Sequence, residues 1–96
     1  MLQQEKLNFI RDYLRTEFKG FDLVHDNDDM DRQGHTFQLD KDNKIRLVTV
    51  QRNVTDNVTG PKLSTFLQGY PLRQHFDNEN VKRIVISENG IKLEYS

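Results

Sequence analysis

The residues best equipped for chemistry sit close together early in the chain: His25, Asp26, Asp28, Asp31 and His35. Two imidazoles and a carboxylate are the donors that hold zinc or nickel. If two strands pair so that Phe21 opposes Leu39 and Leu23 opposes Phe37, His25 opposes His35, with the aspartates between them. A divalent-metal site, or a metal-dependent enzyme built on it, is one reading of this stretch. The same residues also spell Asp29-x-Asp31-x-Gln33-Gly34, with Asp40 in the twelfth place, which is the oxygen spacing of a calcium loop. The closing position is Asp instead of Glu, and the residues before it alternate as a strand instead of entering a helix. The segment is therefore read as an acidic loop, Asp26 to Gly34, able to attract a divalent cation without specificity. No other cofactor is expected.

A second group has the composition of a recognition surface. Tyr70-Pro-Leu72-Arg73-Gln-His75-Phe76 is dense in aromatic and basic side chains, the types enriched where proteins meet. Leu72 and Phe76 are expected to tuck under the loop and leave Arg73 and His75 outward. Lys44, Arg46, Arg52 and Lys62 supply further positive charge, and with Arg73 they form a scattered basic surface that nucleic acid could use. Motifs for phosphate-binding loops, nucleophile elbows and HExxH zinc sites are absent from the sequence. Ser64 falls in a predicted helix and Ser87 at a strand end, neither beside a histidine.

These candidates lie on a chain of 96 residues with no cysteine, 34% hydrophobic and 30% charged residues and a formal net charge of −1. One domain, residues 1–96, with one core is expected at that length. An interior cavity for a large cofactor would consume the core, so any site belongs on the surface or between copies. Disulfides and thiol chemistry are excluded by composition. With no apolar run near the ~20 residues that span a bilayer, a cytoplasmic protein without membrane contact is expected. The charge is unevenly spread. Residues 21–43 hold seven acids against Arg32 and Lys41, a balance of −5, while residues 44–75 hold five bases against Asp56, a balance of +4. Opposite blocks of this kind favour complementary contact between copies or with a partner.

The elements that position these residues follow from periodicity. Leu7, Ile10, Leu14 and Phe18 recur at helical spacing and predict a helix over 2–18, stopped by Gly20. Phe21–His25, His35–Leu39 and Lys44–Arg52 alternate or are rich in β-branched residues and predict three strands in a meander. Asn53-Val-Thr-Asp and Asn57-Val-Thr-Gly are tandem quartets read as a polar loop, whose Asn-x-Thr acceptor patterns are accidental. Pro61 opens a second helix with Leu63, Phe66, Leu67 and Tyr70 on one face. After a loop, Val81–Ser87 and Ile91–Tyr95 form a hairpin about Asn89-Gly90, pairing Ile86 with Leu93 and Ile84 with Tyr95.

The expected class is α+β, in the order α-β-β-β-α-β-β, with an antiparallel sheet of about five strands and two helices on one face. Its first part shares the order of double-stranded-RNA-binding domains and of PD-(D/E)xK nucleases. The basic cluster of the former is reduced to Lys62, however, and the acid-x-lysine of the latter, Asp42-Asn43-Lys44, falls in a turn. Element order alone carries no function. The sequence therefore points to a non-enzymatic interaction module that forms a homodimer or binds a protein partner through a sheet edge and the Tyr70–Phe76 surface. Nucleic-acid binding is the first alternative and the His25/His35 metal site the second.

Overall fold

A computed structural model describes residues 4–70 and 72–95, apart from the side chain of Ser64. The expected helix start at Leu2, Pro71 and Ser96 lie outside the described residues. The chain is α+β. Helix α1 (Gln4–Glu17) is followed by β1 (Asp22–Asp29), β2 (Gly34–Lys41), β3 (Lys44–Gln51), α2 (Arg52–Asn57), α3 (Gly60–Gln68), α4 (Leu72–His75), β4 (Val81–Ser87) and β5 (Gly90–Tyr95). All five strands form one sheet in sequential order, β1-β2-β3-β4-β5.

That sheet is mixed, not antiparallel throughout. β1–β2, β2–β3 and β4–β5 are antiparallel, but β3 and β4 run parallel. A parallel neighbour cannot be reached by a tight turn, and residues 52–80 supply the crossover. The quartet repeat expected as loop begins that crossover: its first copy lies in α2, where Val54 and Thr55 are buried, and its second leads into α3. Burial of Val54 overrides the polar composition around it. Likewise the loop before β4 contains the short α4, which buries Leu72, and Phe76 follows it into the core. There are four helices among the described residues instead of two.

The acidic segment is the second correction. The structure extends β1 to Asp29, so most of the expected loop is strand, and only Met30–Gln33 turn the chain. The pairing differs from the expected one: Leu23 faces Leu39 instead of Phe37, which keeps it on its face, and a register shift between Leu23 and His25 then sets His25 against Gln38. The β2–β3 turn is Asp42-Asn43, both at positive φ (52° and 64°), which is the primed hairpin geometry that Asp and Asn tolerate. At the second hairpin Ser87 pairs with Gly90, so Glu88 and Asn89 take the turn and the register differs by two residues: Ile86 faces Ile91 and Ile84 faces Leu93. A shift of two keeps every side chain on its face.

Phe37, Leu39, Val48, Val50, Ile84 and Ile86 project from one face of the sheet into a single cluster with Leu7, Ile10, Leu14, Phe18, Leu63, Leu67 and Leu72 of the helical segments. α1 packs against α3, and its Tyr13 hydroxyl donates to the Leu67 carbonyl at 3.1 Å. Burial, aided by the neighbouring Glu17 carboxylate, pushes the Tyr13 phenol well above its ordinary range, so it stays a donor.

Candidate functional site

At the end of the sheet where β1 starts and β2 turns into β3, a cleft of about 260 Å³ opens among Phe21, Lys41, Lys44, Arg46, Arg73 and Phe76, with Asp42, Asp77 and Glu79 also on its wall. Its floor is aromatic. Gly20, at φ 92°, ends the α1 segment and turns the chain so that Phe21 meets the buried Phe18 edge-on, 5.4 Å between centroids. Phe18 in turn contacts Phe76 at 5.6 Å. Cations cover this floor. Lys41 Nζ lies 5.1 Å from the Phe21 centroid, Arg73 Cζ 5.8 Å from the same ring, and Arg46 Cζ 5.9 Å from Phe76. Such spacing lets the negative face of each ring attract the charge above it. Among the described residues Lys44 pairs with Glu79 at 3.3 Å, whereas Lys41, Arg46 and Arg73 form no ion pair.

Family models, curated proteins and solved structures all lack a match to this chain. The reading of the cleft therefore rests on its own chemistry. Of the residues singled out from sequence, Arg46, Arg73 and Phe76 meet here, drawn from β3, α4 and the segment after it. Lys44, expected with the scattered bases, lies here too; Phe21 and Lys41 were not foreseen, because Phe21 reads in sequence as an ordinary strand residue and only the β2–β3 turn brings Lys41 to it. Tyr70 meets Phe66 edge-on at 5.6 Å, packed against the core, and His75 is half-buried. Arg52 faces Asp28 at 3.7 Å and Lys62 is exposed on α3; neither lines the cleft. The expected basic surface is thus divided.

The histidine pair does not form as expected. His25 opposes Gln38, whereas His35 opposes Asp28 and Val50, so the two imidazoles stand on opposite faces of the sheet. Of the aspartates, Asp26 and Asp28 share the face of His35, and Asp31 is exposed in the turn. No group of three or more His, Cys, Asp or Glu side chains placed to hold a metal occurs among the described residues.

Asp26 instead joins α1 to the sheet. Arg11 donates to both of its oxygens at 2.8 Å, and His35 Nε2 lies 2.7 Å from Oδ1. The Arg11 hydrogen bond, assisted by His35 and by the charge of Arg11, outweighs burial and holds the Asp26 carboxyl below its ordinary range. His35 is only 8% exposed and rests on Phe37, 5.0 Å between centroids.

A second ionic cluster occupies the other face of the sheet. Arg83 Nη1 donates to Thr49 Oγ1 at 2.8 Å and Thr36 Oγ1 at 3.0 Å, and lies 3.5 Å from Asp29 Oδ2. Arg32 grips Glu94 with two bonds, at 2.8 and 3.1 Å, so the β1–β2 turn is tied across the face to β5. Burial lowers the Arg83 pKa first, with the Arg32 charge adding to it. Burial opposes ionisation of Asp29, but hydrogen bonds from Thr36 and the Arg32 main chain, with both arginine charges, keep it low; the Arg32 hydrogen bond does the same for Glu94. Every carboxylate here is matched to an arginine, so the cluster ties strands together.

Proposed function

We propose that this chain is a non-enzymatic interaction module whose cleft receives an acidic side chain presented by a protein partner. The supporting observation is the set of cations, Lys41, Arg46 and Arg73, lying over Phe21 and Phe76 with no ion-paired carboxylate among the described residues. An incoming carboxylate supplies the missing acceptor, and the guanidinium forks give it two-point geometry. The half-buried Phe21 ring supplies apolar contact of the kind that anchors protein interfaces. Size favours a side chain: about 260 Å³ falls below the roughly 300–1,000 Å³ usual for small-molecule sites.

Nucleic acid is the runner-up. Asp42, Asp77 and Glu79 stand on the cleft wall; a single carboxylate can seat over the cations away from them, whereas a run of phosphates must pass them. Counterion release rewards a continuous basic track, which Arg52 and Lys62 do not extend.

Backbone and arginine side-chain NMR shifts followed during titration test both readings. A Glu- and Phe-containing acidic peptide is the first probe, a single-stranded deoxyoligonucleotide the second. The peptide is expected to shift Phe21, Lys41, Arg46, Arg73 and Phe76 and to bind about 10-fold more weakly to Arg73→Ala, the cost of a typical anchor. If the oligonucleotide shifts these residues and the peptide does not, the nucleic-acid reading replaces this one. Silence with both probes at low salt removes the cleft as a recognition site.

A further inference from the structure

The two edges of the sheet differ in how they are guarded. β1 carries Asp22, Asp26, Asp28 and Asp29 and the irregularity at Leu23–His25, and both devices discourage another strand from adding. β5 has neither. Its irregularity lies on β4, between Val81 and Arg83, and β5 itself runs unbroken from Gly90 to Tyr95. Ile91 and Leu93 are only half-buried at this edge, and Tyr95 is 60% exposed.

We propose that β5 pairs antiparallel with β5 of a second copy, about a two-fold axis at Leu93, to make a continuous ten-stranded sheet. The sequence of the strand is self-complementary in that register alone. Leu93 meets Leu93, and Ile91 meets Tyr95 on the same face. On the opposite face Lys92 of each copy meets Glu94 of the other, giving two ion pairs. Moving the axis to Lys92 sets lysine against lysine, moving it to Glu94 sets glutamate against glutamate, and a slip of one residue sets Ile91 against Glu94.

The backbone agrees. The hairpin closes on the Ser87–Gly90 pair, so counting from it Lys92 and Glu94 turn their amides to β4, and those of Ile91, Leu93 and Tyr95 face the free side. The Lys92–Glu94 pairs then fall at the non-hydrogen-bonded positions, where side chains approach most closely. Lys92 forms no ion pair among the described residues, and Glu94, although held by Arg32 and 3.4 Å from Arg83 Nε, keeps 35% of its side-chain surface exposed. Six residues per copy bury less than the ~1,200 Å² of a stable interface, so the dimer is weak and exchanges rapidly.

Sedimentation equilibrium and amide NMR shifts, both followed from about 10 µM to 1 mM, the range in which so small an interface associates, provide the test. Expected are reversible dimerisation and concentration-dependent shifts at Ile91, Leu93 and Tyr95, with those of β1 unmoved. Lys92→Glu, which turns both ion pairs into repulsions, should weaken the dimer about 10-fold or more. Tyr95→Glu, at a second exposed position, should do the same while the monomer spectrum stays folded. A monomer throughout the range overturns the proposal, as does a dimer whose shifts map to β1 or to the Phe21–Phe76 cleft. Peptide binding in the cleft is read from different residues, so either result stands without the other.

Discussion

Asp26 shows how one carboxylate can be diverted from the chemistry its neighbours suggest. Beside two histidines in sequence it looks like a metal ligand; in space it serves Arg11 and His35, and through them fixes α1 to the first hairpin. Replacing it by Asn keeps the shape but leaves the Arg11 guanidinium without its anionic partner, and should cost about 2 kcal/mol of stability, the usual magnitude for a hydrogen bond to an ionised group. Urea unfolding of Asp26→Asn measures this, and an unchanged midpoint would contradict the assigned role. The pH dependence follows from three lowered carboxyls, Asp26, Asp29 and Glu94. Their folded-state pKa values lie below those of the unfolded chain, so below about pH 5 the unfolded state takes up more protons than the folded one. The stability they contribute is complete above the unfolded carboxyl values of roughly 4 and disappears as pH falls through the lower folded ones. Urea midpoints should therefore fall below about pH 5 as these three carboxyls take up protons, and Asp26→Asn should shrink the fall.

Among the elements, the β1–β2 hairpin depends most on a single small residue. A Cβ on Gly34 would lie 2.4 Å from the Val50 carbonyl oxygen, a main-chain atom of β3 that cannot step aside. Gly34→Ala is expected to lose about 2–3 kcal/mol, in the range of overpacked cores, measured by thermal or urea unfolding. The open position of Gly20, with nothing within 4 Å of a built Cβ, leaves only the strain of its φ of 92°. The elements differ in how plainly the sequence announces them. α1, the two strand pairs joined by Asp42-Asn43 and Glu88-Asn89, and α3 carry their own periodicity and turn residues, and they are legible. α2 is not, because Asn53-Val-Thr-Asp and Asn57-Val-Thr-Gly are nearly the same local sequence in different conformations; what separates them is the core under Val54. The extension of β1 was hidden for a similar reason. Asp26 and Asp29 are tolerable in a strand only because Arg11, Arg32 and Arg83, distant in sequence, neutralise them. The cleft was half legible: composition marks Arg73 and Phe76, but Phe21 and Lys41 join them through a turn and a chain reversal whose meeting no spacing announces.

On the scale of the whole molecule, the opposed charge blocks of the sequence become something different. Three acids of the acidic block, Asp26, Asp28 and Asp29, are matched internally by arginines from α1, the β1–β2 turn, α2 and β4, and much of the basic block is left to the cleft. The parallel junction of β3 and β4 also has a meaning in time. Connections of four, two and two residues close the three antiparallel pairs, whereas this one waits for the 29 residues from Arg52 to Asn80. Chain entropy makes that longer closure dearer by about 2 kcal/mol, a factor of roughly 30 in its equilibrium. The meander and the C-terminal hairpin are thus local pieces able to assemble first, with the crossover joining them late. In stopped-flow kinetics Val54→Ala, in the crossover, should accelerate unfolding and leave refolding nearly unchanged, while Phe37→Leu, in the meander, should slow refolding. The reverse pattern would mean that the crossover forms first. If the order is as expected, late in folding the chain passes through a state in which β3 and β4 are each an open edge, and the helical crossover decides how long they stay exposed to other chains.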